Sequence, residues 1–252
     1  MTLEGIAAIV TGAGGVVGHA IAYALASEGA NVAVVTLSSA QSDIVKKIKE
    51  LGSQAIALHC DITDKNSVNQ MVAQTVQSFG KIDLLVNNAG MSDRAPLEQL
   101  SVDSWDKVIA VNLKGVFLCS VAAAKEMMKQ QKGNIVNITG ASAHQCGAEM
   151  GAFGPSKAAV VNLTRQMAVE WAKYSIRVNG VSPGPIMDPV TAERIKEEGM
   201  RERIEKIPLG RVSKPEEIAN VVLFLASEQS SNITGQTIIA DGGGILTWYL
   251  YP

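Results

Sequence analysis

A doubly wound α/β fold, with helices on both faces of a parallel sheet in a single domain, is predicted by three observations. Short apolar runs rich in β-branched residues alternate with longer segments of helical periodicity along the whole chain. A glycine-rich turn follows the first of those runs directly. The 252 residues, 47% hydrophobic and 18% charged, suffice to bury one large core. Continuous apolar runs suit strands covered on both faces, and their regular spacing by helical segments suits parallel pairing with right-handed crossovers.

The first strand is expected at Ala7 to Thr11. The turn that follows, Thr11-Gly12-Ala13-Gly14-Gly15-Val16-Val17-Gly18, enters a helix at once. Glycines there let a backbone approach a pyrophosphate, and a helix N-terminus supplies N–H groups and the positive end of a dipole. Further strands are expected at Val32 to Thr36, Ala55 to Leu58, Leu84 to Val86, Ile135 to Ile138, Val178 to Val181 and Thr237 to Ala240. Helical periodicity runs through Asp43 to Leu51, Ser67 to Phe79, Val116 to Met128 and Ala158 to Trp171. Residues 183–213 break the regularity. This insertion is dense in charge from Glu193 to Lys206 and reads either as a solvated helix pair or as a lid over a site. No linker or repeat interrupts residues 1–252, which are read as one domain.

Composition narrows the function. A formal net charge of -2 provides no basic field for nucleic acid or anionic lipid, and no apolar run approaches a membrane span. The N-terminus lacks the basic and apolar regions of a signal peptide. Cys60, Cys119 and Cys146 are odd in number and lack metal-ligand spacing, so they read as reduced thiols of a cytoplasmic protein without a metal centre.

The most informative segment is Gly151-Ala152-Phe153-Gly154-Pro155-Ser156-Lys157. Phe153 and Lys157 are four residues apart and share a helix face, and Pro155 is tolerated if the helix begins nearby. A tyrosine beside Lys157 would make an acid. A phenylalanine cannot.

Around it, in chain order, stand Cys60-Asp61-Ile62-Thr63, Asn87-Asn88-Ala89-Gly90, Val111-Asn112-Leu113, Arg177-Val178-Asn179, Ser182-Pro183-Gly184 and Asp241-Gly242-Gly243. With the glycine turn and Ser156-Lys157, these motifs resemble the short-chain dehydrogenase/reductase family from end to end. The resemblance implies a Rossmann-like sheet with ligands at the carboxyl ends of its strands and a nicotinamide dinucleotide cofactor. It implies cofactor contacts at Gly12, Gly14, Gly15, Val17 and Gly18; at Thr36, Asp61 and Ile62; at Asn88, Ala89 and Gly90; and at Lys157, Pro183, Gly184 and Ile186. Asp61 matches the carboxylate that bonds the adenine amine. Lys157 matches the residue that binds the nicotinamide ribose and lowers a tyrosine pKa, and Asn112 the residue that holds a relay water. The bland alternatives are a helix-kink role for Asn112 and strand bracing for Asn-Asn-Ala-Gly.

The departures from the family pattern set the functional expectation. Val16 stands at a glycine of the phosphate turn, and Asp188 where threonine is common near the phosphates. NAD or NADP binding is therefore expected to be weak or absent. Gly140, thirteen residues before Phe153, falls on the family serine, so oxyanion donor and proton donor are both missing. A positioned acid contributes roughly 10²–10⁴-fold and an oxyanion donor roughly 10²–10³-fold, which predicts drastic loss of ordinary redox turnover. Ser142 and His144 are the candidates to replace them, as a displaced oxyanion donor and a proton donor.

The expected function is non-redox catalysis on a small molecule, by cyclisation, dehydration or isomerisation. The alternatives are iminium or carbonyl reduction with a non-standard acid, and a non-catalytic binding or partner subunit. Thr36, Leu37 and Ser38 supply neither an acid for a ribose 2'-OH nor an arginine for a 2'-phosphate, and their small hydroxyls lean toward NADP. A homo-oligomer, a tetramer, is expected through Ala122, Ala123, Val160, Val161, Leu163 and Val169, with the aromatic tail Trp248, Tyr249 and Tyr251 buried against a subunit.

Overall fold

The computed structural model describes residues 2–38, 42–196 and 198–247. Seven strands form one parallel sheet in the order β3-β2-β1-β4-β5-β6-β7. They are β1 (Ala7–Thr11), β2 (Asn31–Thr36), β3 (Ala55–His59), β4 (Leu84–Asn87), β5 (Gly133–Ile138), β6 (Ile176–Pro183) and β7 (Thr237–Ala240). The chain winds outward from β1 to β3, then returns to place β4 on the other side of β1. Connections thus diverge between β1 and β4, which opens a crevice above their carboxyl ends.

Period-two alternation sends neighbouring residues of each strand to opposite layers. Ala8 and Val10 of β1 pack with Ile21 and Leu25 of α1 (Val16–Ser27), and the same layer takes Ile48 of α2 (Ser42–Glu50) and Val222 of α9 (Pro215–Ala226). Ile9 faces the other layer, with Met71 of α3 (Lys65–Phe79), Met127 of α5 (Val116–Gln130) and Met167 of α6 (Phe153–Trp171).

Local chemistry sets the helix ends. Asp64 caps α3 by accepting from the backbone N of Asn66 at 3.0 Å, and Gly80 closes it with φ +79°. Arg177 donates through Nη2 to the carbonyl of Leu225 at 2.9 Å in the last turn of α9, and Asn179 donates to that of Ile233 at 2.8 Å. The Arg177-Val178-Asn179 motif therefore ties β6 to the α9–β7 connection.

Several elements differ from expectation. α6 begins at Phe153 rather than Ala158, because Pro155 falls in its first turn, where a missing N–H costs nothing. β6 continues to Pro183, beyond the last β-branched residue of its run. A helix not placed from sequence, α4 (Val102–Ile109), joins α5 through a π turn at Ala110–Gly115. The resulting run, Val102–Gln130, contains an 18-residue stretch of mean hydropathy 1.6 and is long and apolar enough to span a membrane, contrary to the sequence reading. Cys119, Ala123 and Met127 sit in the sheet core, so its apolar face is that of a core helix.

Residues 183–213 contain α7 (Pro189–Arg194) and α8 (Glu198–Glu205). The ends of this insertion pair with each other: the backbone N of Met187 donates to Ser213 at 2.8 Å and that of Ser213 to Pro185 at 2.9 Å. Just beyond, Arg211 forks onto Glu217 at 2.8 and 2.6 Å, and these bonds hold the Glu217 carboxyl down to about 2.

Of the side chains expected at subunit contacts, Ala122, Ala123, Val160 and Val161 are buried within the subunit, whereas Val169 is 80% exposed. The first four already have partners in their own core. The aromatic tail lies outside the described residues.

A buried polar network joins four elements. Asn87 on β4 donates to Asn137 on β5 at 2.8 Å and to Ser120 on α5 at 2.9 Å, and Asn137 donates to Thr164 on α6 at 2.8 Å. Replacing Asn137 with alanine removes the central member and leaves a void. Urea titration is expected to show a loss of about 2–3 kcal/mol.

Candidate active site

The carboxyl ends of the central strands open into one cleft of about 1140 Å³. At one end lies the β1–α1 turn. Gly12 has φ +64°, and a Cβ there would fall 2.7 Å from the Cα of Ala89. A Cβ on Gly18 would meet the carbonyl oxygen of Gly12 at 2.3 Å and Asn88 Nδ2 at 2.6 Å. Helix α1 must therefore approach β4 at backbone distance. Asn88 holds this contact by donating from Nδ2 to the carbonyls of Thr11 and Gly12, each at 3.1 Å. Its side chain braces the end of β4 against the turn after β1. No side chain caps α1 and no acid stands in its first turn, so its first N–H groups and positive dipole end are presented to an anion in the cleft.

All the residues expected at the cofactor line this cleft. Val17 and Gly18 stand in the first turn of α1, Gly14 and Gly15 just before it, and Thr36 ends β2. Asp61 accepts from the hydroxyl of Thr63 at 2.7 Å and its backbone N at 2.8 Å, and those bonds hold its carboxyl below the usual carboxylate range. Ile62 lies beside it, Ala89 and Gly90 follow β4, and Pro183, Gly184 and Ile186 border the insertion. Val16 also faces the cleft, 42% exposed.

At the other end, Lys157 is 4% exposed and donates from Nζ to the carbonyl of Ile138 at 2.9 Å. Burial disfavours its charge and lowers its pKa to about 8. Nζ lies 5.7 Å from the centre of the Phe153 ring. A Cβ on Gly90 would come within 3.3 Å of both Lys157 Nζ and Asn112 Oδ1, so the glycine leaves a cradle there. Gly140 is extended, and a Cβ on it would lie 3.4 Å from Ser142 Oγ and 3.9 Å from Phe153 Cε1. The Ser142 hydroxyl thus sits next to the place that a side chain at 140 would enter.

Two expected catalytic residues are absent from the cleft wall. Asn112 lies in the π turn, where Nδ2 donates to the Met91 carbonyl at 2.9 Å and to Ser156 at 3.0 Å while Oδ1 accepts from Met91 N at 2.9 Å. His144 directs Nε2 to Ser182 Oγ at 2.8 Å; Ser182 bonds Thr139, whose hydroxyl reaches the Val181 carbonyl. Burial and then Arg165 lower the His144 pKa, with Asp241 opposing. The structure brings together Lys157, Phe153 and Ser142, and turns His144 away from them. Sequence reading missed Gln145, which also lines the cleft. No motif marks it, and it comes just after the turn at Ala141–Ala143.

The lining carboxylates are engaged by backbone. Asp188 caps α7 by accepting from Thr191 N at 2.6 Å, and Asp241 accepts from Gly243 N at 2.9 Å and Ile245 N at 2.7 Å. The bond from Thr191 N fixes the Asp188 carboxylate in the α7 cap and leaves its negative charge in place.

The family model described as enoyl-(acyl carrier protein) reductase matches residues 12–244. The 3-oxoacyl-[acyl-carrier-protein] reductase FabG of Thermotoga maritima is 40% identical over 247 residues, covering 98% of this chain and 100% of that protein. The chain belongs to the short-chain dehydrogenase/reductase family. FabG of Staphylococcus aureus is 38% identical over 94% of this chain and 96% of its own. NAD+-bound xylitol dehydrogenase superposes with a TM-score of 0.91 at 32% identity, covering 95% of this chain and 98% of that one. 7α-Hydroxysteroid dehydrogenase complexed with NADH and 7-oxo glycochenodeoxycholic acid gives 0.91 at 34%, covering 96% and 95%.

These relatives overturn the expectation of non-redox catalysis, since proteins 38–40% identical over nearly the full length are named reductases. Weak or absent dinucleotide binding is not supported either. Family neighbours with this fold hold NAD+ and NADH, and the turn from Gly12 to Gly18 keeps its close backbone approach despite Val16.

Steric demand in the turn is graded. Gly18→Ala is expected to cost about 1–3 kcal/mol by urea denaturation, as overpacking against backbone does. Gly14→Ala, whose Cβ would meet only Thr36 Cγ2 at 3.3 Å, should cost less. Equal losses at both sites would contradict the geometry.

Proposed function

We propose that this protein is a nicotinamide-dependent oxidoreductase acting on a small carbonyl compound or the corresponding alcohol. The observation that carries the reading is a single cleft running from the uncapped N-terminus of α1 to the buried amine of Lys157. A dinucleotide suits it. The first turn of α1 would hold the diphosphate, Asp61 and Ile62 would border the adenine, and the cradle at Gly90 would leave Lys157 open to the nicotinamide ribose. Held in this way, a nicotinamide would supply the hydride chemistry at the substrate carbon.

The chain must then move one proton at the substrate oxygen, and Phe153 has none to give. Lys157 Nζ is the buried titratable nitrogen of the wall. With its pKa brought to about 8 it is an ammonium at neutral pH yet releases a proton readily. Phe153 excludes water beside it, and Ser142 is the hydroxyl next to the vacant side of Gly140. His144 and Asn112 position the loop and the π turn through their bonds to Ser182 and Met91. The residues closing β2, Thr36 to Ser38, include no carboxylate to select against a 2'-phosphate, which supports acceptance of NADP(H). The free thiols of Cys60, Cys119 and Cys146 support a cytoplasmic setting. Exposed Phe117 on α5 and Val169 on α6 support a homo-oligomer, a tetramer, built on these helices.

Fluorescence titration should give micromolar dissociation constants, with NADPH bound no more weakly than NADH. Binding weaker than millimolar for both overturns the function. Because the acid form of Lys157 is lost as pH rises through about 8, carbonyl reduction should fall above that pH while alcohol oxidation rises. Lys157→Met should abolish this pH step and lower kcat by roughly 10²-fold or more. A step unchanged in the variant removes Lys157 from proton transfer.

A further inference from the structure

Four buried side-chain polar atoms among the described residues have no hydrogen-bond partner: Asn134 Oδ1, Ser142 Oγ, Gln145 Oε1 and Thr237 Oγ1. Asn134 and Thr237 belong to strands and are absent from the cleft wall, whereas Ser142 and Gln145 both line it. Buried groups without partners are rare and costly in folded proteins, and two in one turn of a cleft wall mark a place where a ligand completes the bonding.

The spacing is informative. Ser142 lies within the 3₁₀ turn Ala141–Ala143 and Gln145 closes onto it, its backbone N donating to Ala141 at 3.2 Å. Three positions apart on one short segment of the cleft wall, the two side chains can address neighbouring groups of one molecule. Ser142 is a hydroxyl that can donate to a substrate oxygen. Gln145 Oε1 accepts, so the second group must carry O–H or N–H. The carboxylates that line the cleft, Asp61, Asp188 and Asp241, are oriented by bonds from Thr63 and from backbone N–H groups. Apolar side chains, Met150, Phe153, Met200 and Ile204, also line the cleft.

We propose that Ser142 and Gln145 form the polar subsite for a substrate whose reacting carbonyl or alcohol carries a neighbouring hydroxyl group. The inference rests on the oxidoreductase reading and adds the substrate class. Ser142 holds the reacting oxygen in place of a residue at 140, after rotation about its Cα–Cβ bond toward the cleft. Gln145 accepts from the vicinal hydroxyl.

The test is binding of trans-cyclohexane-1,2-diol and of cyclohexanol to the full-length protein, with and without saturating NADPH, by saturation-transfer NMR. The diol should bind roughly 5–10-fold more tightly, the worth of one hydrogen bond. Gln145→Met should collapse that ratio to about one, and Ser142→Ala should weaken both probes by a similar factor. Ser142→Ala should also keep its melting temperature or gain about 2–4 °C, because an unpartnered buried hydroxyl is removed. Equal affinity for the two probes, no binding of either, a ratio preserved in Gln145→Met, or a lower melting temperature in Ser142→Ala each overturns the proposal. Failure of the underlying function is read separately, as loss of NADPH binding to the unmodified protein.

Discussion

The whole site depends on how closely α1 approaches β4. Thr11 accepts at Oγ1 from the backbone of Asn88 and Ala89, Asn88 returns two bonds to Thr11 and Gly12, and Gly18 has no room for a methyl group. This knot joins the strands on either side of the topological break. It brings the positive end of α1 over the sheet edge and leaves Ala89 and Gly90 leading from β4 toward Lys157. A bulkier residue in it would separate the phosphate end of the cleft from its chemical end. Val16 is tolerated because it begins the helix with its side chain partly in solvent, outside the knot.

Electrostatics in the cleft follow from which charges already have partners. Asp61, Asp188 and Asp241 close local turns or cap a short helix, so their cost of burial is offset by donors close in sequence. Lys157 has only a carbonyl as acceptor, and burial weakens its hold on the proton. A cation held this way favours negative charge arriving from outside, whether phosphate, ribose oxygen or developing alkoxide. Asp188, the acidic side chain that the sequence sets against a diphosphate, is oriented by the α7 cap and keeps its charge.

Missing hydroxyls at 140 and 153 led to an expectation of non-redox chemistry that the relatives contradict. Loss of a general acid removes roughly 10²–10⁴-fold, whereas enzymes accelerate reactions by 10⁶-fold and far more, so the rest of a scaffold retains most of its catalytic power. Lys157 Nζ lies 5.7 Å from the centre of the Phe153 ring, and the Ser142 hydroxyl sits beside the space that a side chain at 140 would enter. Counting absent groups position by position leaves out the polar neighbours that stand beside them.

The linear sequence determined the sheet, because apolar runs and their spacing encode which segments are covered on both faces, and all seven strands lie within a few residues of their expected places. It also marked the glycine turn, since the positive φ of Gly12 is a local demand, although the need for glycine at 18 comes from its contact with Asn88 across the sheet. Tertiary structure alone decided what the polar side chains do. Asn112 and His144 carry the right chemistry in the right order along the chain, yet each is consumed by a partner distant in sequence, Ser156 and Ser182. Gln145 carries no motif and comes to line the cleft just after one 3₁₀ turn. Hydrophobic periodicity is a property of neighbours along the chain, whereas the direction and satisfaction of a hydrogen-bonding group depend on atoms brought together only by folding.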